Sequence, residues 1–262
     1  MIAAPRHFAA LATRLRWDPE ALDLAADAAA WQALDGALRR QLTVLLAGFC
    51  VAEHRVAGEL APFVPTARDP VTAAVFTAQR ADEQRHDRVF DRIAELILGA
   101  PGQDASSRRD FVRGIVPAPL LDLFEERLPQ TALALALGRA DLLEGVSLYH
   151  LILEGVVLSA GQRALLVALG DGTLPNLRHA IQLVERDERW HVGFGLRCVL
   201  ELRPDPTIVV TLMAEGEAAV QAWGPAIPVE IRRRVLAQHR RRLAAIGLLP
   251  AGGIHAAVGR AG

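Results

Sequence analysis

Strict alternation of apolar and polar residues, the period-two signature of a half-buried strand, is almost missing from this 262-residue chain. The one short β-branched run, Thr207 to Thr211, also fits the start of a helix. Apolar positions instead fall in long stretches dominated by Ala and Leu, which helix start and stop signals cut into pieces. Asp18-Pro19-Glu20 reads as an N-cap, a first-turn proline and a first-turn acid, and predicts a helix to about Leu34. A long helix predicted from about Asp35 ends at Pro62 and Pro65, and the next opens at Asp69-Pro70 and closes at Gly99 and Pro101. Residues 100–117, rich in Gly, Ser, Asp and Arg, read as a looser connection. Helices are predicted over 118–137, 139–169 and 175–202, with Gly170-Asp171-Gly172 and Pro175 turning the chain between the last two. Two more, 206–223 and 228–247, precede a Gly/Ala tail. The expected fold class is all-α.

Composition narrows the picture. A chain of this length can bury one sizeable core, so residues 1–262 are expected to form a single helical domain. A hydrophobic content of 52% suits helices that bury two sides. The net charge of −1 gives no global pull towards nucleic acid or anionic lipid. Every basic residue is Arg, which reads as genome composition, and the run Arg232, Arg233, Arg234, Arg240, Arg241, Arg242 reads as a solvated helix face. Cys50 and Cys198 are the only cysteines and form no CxxC pair, so buried thiols in a reducing cytoplasm are expected. The first thirty residues lack a signal-peptide pattern, and no apolar stretch approaches the roughly 18 residues that span a bilayer.

The chemistry lies in two Asp-Glu-x-x-His strings, Asp82-Glu83-Gln84-Arg85-His86 and Asp187-Glu188-Arg189-Trp190-His191. Each follows a lone Glu, Glu53 or Glu154, by about one helical hairpin. On a helix, Glu and His at i and i+3 project from one face. Two such helices, with one inward Glu from each of two others, bring four carboxylates and two imidazoles around one point. Burying six ionisable groups without compensation is costly, and a pair of divalent metals removes that cost. Oxygen-rich sites with imidazole suit Fe and Mn, whereas zinc prefers four-coordinate nitrogen and sulfur ligation. Glu83 and Glu188 are the expected bridges, Glu53 with His86 completing one metal and Glu154 with His191 the other. Asp82 and Asp187 are expected to fix the outer ring nitrogens, Asp187 reaching His86 and Asp82 reaching His191 across the bundle. Cys50, just before Glu53, reads as a core thiol.

This donor set resembles that of the ferritin-like dimetal-carboxylate proteins, which implies a four-helix bundle with flanking helices. Trp17-Asp18-Pro19-Glu20-Ala21-Leu22-Asp23 and His191-Val192-Gly193-Phe194-Gly195 further resemble the ribonucleotide reductase small-subunit superfamily. The likeness covers a core from about 15 to 205, leaving 206–262 as a C-terminal helical extension. Within that superfamily the chain is most similar to the small-subunit-like ligand-binding oxidases. Glu53-His54-Arg55-Val56 is similar to their Glu-Glu-x-Val, and Tyr149-His150-Leu151-Ile152-Leu153-Glu154-Gly155 to their Tyr-x-x-x-x-Glu-Gly. Tyr149 is the sole tyrosine of the chain. The resemblance implies a Mn/Fe or two-Fe cofactor, O2 activation and a long-chain fatty acid or other apolar ligand. It also implies an ether crosslink between Val56 and Tyr149, an electron donor that the sequence does not identify, and a homodimer.

The departures are His54, where the family has a second Glu, and Gln162, where it often has a Tyr. A ribonucleotide reductase radical subunit is the rival within the superfamily. It usually carries a Tyr where Phe90 stands and a docking tail with a Tyr, absent from Gly252 to Gly262. Trp17 with Asp187 and His86 nevertheless resembles its internal electron relay. A di-iron monooxygenase or desaturase acting on a small apolar substrate is a second rival; an N-oxygenase would carry His where Val184 stands. Iron storage is a third.

Overall fold

The computed structural model describes residues 2–170 and 172–249, and among them there is no strand. Five helices begin with an aspartate whose carboxylate accepts hydrogen bonds from the N–H groups left without helical partners. Asp35 caps α2 (Gly36–Glu59), Asp69 caps α3 (Pro70–Leu96) and Asp104 caps α4 (Ala105–Arg113). Asp141 and Asp205 do the same for α6 (Leu142–Leu169) and α8 (Pro206–Ala219). The other helices of eight residues or more are α1 (Pro5–Arg14), α5 (118–136), α7 (Pro175–Leu202) and α9 (Val229–Ala245).

Helices α2, α3, α6 and α7 form the four-helix bundle of a ferritin-like fold. Helix α1 lies on α3 and α7, α8 covers the middle of α6, and α9 packs along its second half. The buried apolar side chains make one continuous cluster around the bundle.

Four sequence expectations need correction. Residues 18–34 do not form one helix; they form two 3-10 turns, Pro19–Ala21 and Leu24–Asp27, and a single turn, Ala28–Gln32. Tertiary contacts take the groups that a helix would use. Arg92 donates to the carbonyls of Pro19 and Leu22, and buried Asp27 accepts from Leu177 N–H at 2.7 Å, at the start of α7. The loose connection 100–117 contains α4, held by the Asp104 cap and by Arg108, which pairs with Asp91 on α3. The helix from Pro206 stops at Ala219 and tightens into Val220–Ala226, where Gly224 adopts φ +56°. Helix α6 is long and apolar enough to cross a membrane by length and composition, but 72% of its most apolar window is buried inside the protein. It is a bundle helix with Glu154 near its middle.

Candidate metal centre

Each bundle helix turns an acid inward: Glu53 from the last third of α2, and Glu83, Glu154 and Glu188 from near the middle of α3, α6 and α7. His86 and His191 project one turn beyond Glu83 on α3 and Glu188 on α7, and all six side chains are buried. Their donor atoms fall into two overlapping groups, Glu53–Glu83–His86–Glu188 and Glu83–Glu154–Glu188–His191, each with all atoms within 4.8 Å of one another. Nδ1 of His86 lies 3.1 Å from Glu83, 3.3 Å from Glu188 and 3.5 Å from Glu53. Nδ1 of His191 lies 2.9 Å from Glu83, 3.2 Å from Glu154 and 3.6 Å from Glu188. Glu83 and Glu188 thus face both imidazoles, and the other two acids one each.

The opposite ring nitrogens meet the aspartates across the bundle. Nε2 of His86 lies 3.5 Å from Asp187, and Nε2 of His191 lies 3.6 Å from Asp82. Arg85 sits between the two aspartates, 2.6 Å from Asp82 and 3.6 Å from Asp187. Trp17 donates its indole N–H to Asp187 at 2.7 Å and stacks on His86, with centroids 6.3 Å apart. These contacts turn both Nδ1 atoms towards the carboxylates.

Several buried oxygens have nothing to bind. Among the described residues, neither oxygen of Glu53 or Glu188 has a hydrogen-bond partner, and Glu154 Oε2 also lacks one. Buried acceptors are normally satisfied, so this concentration at one point marks a place for cations. The donor set of four carboxylates and two imidazoles fits two divalent ions, with Glu53 and His86 around one, Glu154 and His191 around the other, and Glu83 and Glu188 common to both. Without metal, burial disfavours the charged form of two of these acids. Burial pushes Glu53 up to about 8 against the pull of His86. Burial and the charge of Glu188 hold Glu154 well above the carboxylate range. Burial opposes ionisation of Glu83 too, but the charges of His191 and His86 overcome it and hold that acid well below its ordinary value.

Tyr149 reaches the centre because α6 changes its winding. Residues Ser147–Leu158 are π-helical, with i→i+5 bonding. In an α-helix five residues make about 1.4 turns, which would set Tyr149 and Glu154 on different faces. The wider turn stacks them, and the Tyr149 hydroxyl lies 2.5 Å from Glu154 and 2.7 Å from Glu83. Burial and the charges of Glu154 and Glu83 keep its phenol well above the usual range. Val56 is fully buried one turn beyond Glu53 on α2.

Two residues at this centre escaped the sequence reading. Gln79 donates to the Tyr149 hydroxyl at 3.1 Å and to Glu154 at 3.2 Å, and its carbonyl oxygen meets His150 Nε2 at 3.0 Å. A signal existed for Gln79, because Gln79, Glu83 and His86 follow the i, i+4, i+7 spacing of one helix face. None existed for His150, which only the π-turn brings round. His54 turns away to pair with Asp87 at 3.3 Å, near the surface. Cys50 donates to the Phe90 carbonyl, and Phe90 itself stacks on Phe49 with centroids 5.3 Å apart. The tail Gly252 to Gly262 lies outside the described residues.

The sequence pattern of the family described as ribonucleotide reductase, small chain, matches residues 6–216. Among solved structures, a point variant of an R2-like ligand-binding oxidase with aerobically reconstituted Mn/Fe cofactor superposes with a TM-score of 0.76 at 20% identity, covering 94% of both chains. A second variant, with anaerobically reconstituted Mn/Fe cofactor, gives a TM-score of 0.77 at 21% identity, again over 94% of both. The R2-like ligand-binding oxidase from Sulfolobus acidocaldarius gives 0.76 at 19% identity, covering 92% of this chain and 90% of that one. At these identities the likeness establishes a shared fold.

Proposed function

This chain belongs to the ribonucleotide reductase small-chain family, and from that premise we propose that it is an O2-activating dimetal oxidase of the ligand-binding type. The observation that carries the reading is the pair of buried donor groups sharing Glu83 and Glu188, with carboxylate oxygens that find no partner in the protein. Mn and Fe are the proposed occupants, supported by the Mn/Fe cofactor named for the structural neighbours. A metal pair there supplies O2 activation and one-electron oxidising power.

The chain's own residues supply the rest. Asp187 and Asp82 hold His86 and His191 in the orientation that presents Nδ1, and Arg85 balances the two aspartates. Tyr149 shares its proton between Glu154 and Glu83, so loss of a hydrogen from the phenol has an acceptor already in contact. Gln79 fixes the phenol oxygen from the other side. In the proposed crosslink, the Tyr149 oxygen bonds to Cβ of Val56. The phenolic hydrogen and the Cβ hydrogen leave as two protons and two electrons, with O2 as acceptor. A long-chain fatty acid or similar apolar ligand, a cytoplasmic homodimer and an electron donor yet to be identified complete the reading.

Phe90, packed on Phe49, stands where a reductase radical subunit usually carries a Tyr, and since some such subunits use the metal pair itself, that residue weakens the reductase role without excluding it. Elemental analysis after aerobic loading with both metals tests the proposal, and roughly one Mn and one Fe per chain are expected. Two Fe without Mn would shift the reading to a di-iron oxygenase, and no stoichiometric metal would reject it. Peptide mapping of the same sample should find Val56 joined to Tyr149. Tyr149→Phe should abolish that peptide and leave the metal content intact; loss of metal would contradict the division of roles.

A further inference from the structure

His150 stands outside the six-donor set, and its hydrogen bonding reaches the centre only through one neighbour. It is fully buried on the π-turn of α6, with the rings of Phe63, Phe76 and Phe194 around it at centroid distances of 6.4, 6.0 and 6.0 Å. These rings offer no lone pair to an imidazole N–H. Tyr149 meets it edge-on at 4.5 Å, and α7 closes over it at Gly195. Its Nδ1 has no hydrogen-bond partner among the described residues. Its Nε2 lies 3.0 Å from the side-chain oxygen of Gln79.

Gln79 is equally buried, and its two ends act in opposite senses: the oxygen accepts and the NH2 donates. The NH2 end faces the Tyr149 hydroxyl at 3.1 Å and Glu154 at 3.2 Å. Turned end for end, the amide would set its oxygen against the Glu154 carboxylate and offer the phenol a neutral acceptor. The Tyr149 hydrogen, now directed at Glu83 and Glu154, would then have a third place to go. His150 opposes that turn. Burial and the charge of His191 push the ring from the ordinary 6.5 down to about 3, so it carries a single N–H. On Nε2 that N–H has the Gln79 oxygen as acceptor; on Nδ1 it has none among the described residues. A turned amide would bring its NH2 against this N–H and leave both buried donors unmatched. Glu154 holds the other end of the amide, but the oxygens of Glu154 are also claimed by the centre, and the His150 hydrogen bond is not.

We propose that His150 is a positioning residue: it fixes which way round the Gln79 amide sits, and through that amide it keeps the Tyr149 hydrogen on Glu83 and Glu154. The phenol is thereby held as a donor to the two carboxylates and an acceptor from Gln79 before any metal or O2 arrives. This orientation prepares the ether-forming step, in which the Tyr149 oxygen replaces the Cβ hydrogen of Val56 and O2 takes up two protons and two electrons. The use in that step rests on the oxidase reading; the orientation of the phenol does not.

Tyr149 is the sole tyrosine, so the tyrosine Fermi doublet in the Raman spectrum of the metal-free protein reads the hydrogen bonding of this one phenol. His150→Phe keeps a ring in the aromatic cage and removes the N–H; it should shift the doublet. His150→Gln returns a donor near the place of Nε2 and should bring the doublet back. Gln79→Leu should shift it too, and adding His150→Phe to Gln79→Leu should change nothing more, because His150 acts through the amide. After aerobic loading with Mn and Fe, His150→Phe should form the Val56–Tyr149 peptide about tenfold more slowly at unchanged metal content. A residue that only fills space predicts the reverse order, Phe tolerated and Gln not, and that result overturns the proposal. So does an unchanged doublet in His150→Phe. Should that variant not fold, nitrogen–proton correlation NMR of the histidine-labelled wild-type protein decides, with the His150 signal assigned by its loss in His150→Gln. Hydrogen on Nε2 is expected, and hydrogen on Nδ1 overturns the proposal. Wild-type protein that takes up no metal, or forms no crosslink, would reject the oxidase or its crosslink and leave the Raman and NMR results standing.

Discussion

At the scale of single residues, the centre depends on second partners as much as on the six donors. Asp187 touches His86, Trp17 and Arg85 at once, so Asp187→Asn should keep the fold while loosening the imidazole. Metal affinity should fall about 10- to 100-fold, as chelator competition would measure, and an unchanged affinity would show that the ring is held by packing alone. His239 on α9 illustrates a different kind of buried ring. It is fully buried, neither nitrogen has a hydrogen-bond partner among the described residues, and burial with the charge of Arg242 lowers it from the ordinary 6.5 to about 4. Between those values the unfolded chain binds a proton that the folded chain does not. Its stabilising effect is therefore complete above pH 6.5 and is lost as pH falls towards 4, by on the order of 3 kcal/mol. Denaturant unfolding of His239→Gln across that window should show a correspondingly flatter decline.

At the scale of elements, α6 and α7 are fitted to each other around His150. A Cβ added at Gly195 would stand 2.2 Å from Cβ of His150, a side-chain atom with no freedom to move aside. Gly195 is what lets α7 approach the π-turn that carries Tyr149 and Glu154. Gly195→Ala should destabilise the protein by about 3 kcal/mol in chemical denaturation, because the helices must part. Gly155 meets a similar limit within α6, where a Cβ would lie 2.9 Å from the His150 carbonyl. The π-segment and the glycines that accommodate it are thus one feature, and it sets which face of α6 the centre sees.

At the scale of the molecule, four buried acids from four helices oppose one another until cations bind between them. Metal should therefore act as a folding ligand as well as a cofactor. At a free concentration of 1,000 times Kd it adds about 4 kcal/mol, worth roughly 8–16 °C in Tm for a chain of this size. Differential scanning calorimetry before and after chelation measures this, and an unchanged Tm would mean that the centre forms without metal.

The sequence alone determined the helical class, because period-two runs are missing and aspartate caps and prolines mark most helix starts. It also paired Glu83 with His86 and Glu188 with His191, since i, i+3 spacing on a helix puts both residues of Glu-x-x-His on one face; adding Glu53 and Glu154 took the resemblance to the dimetal-carboxylate proteins. Only the tertiary structure decided the broken path of residues 18–34, where Arg92 and the N-terminus of α7 claim the backbone and side-chain groups that a helix would have used. Only it decided the π-winding of Ser147–Leu158, a segment that α7, α8 and α9 pack against. The same holds for the inward turn of Arg242: a run of arginines on one helix looks uniform until a cleft between three helices distinguishes one of them.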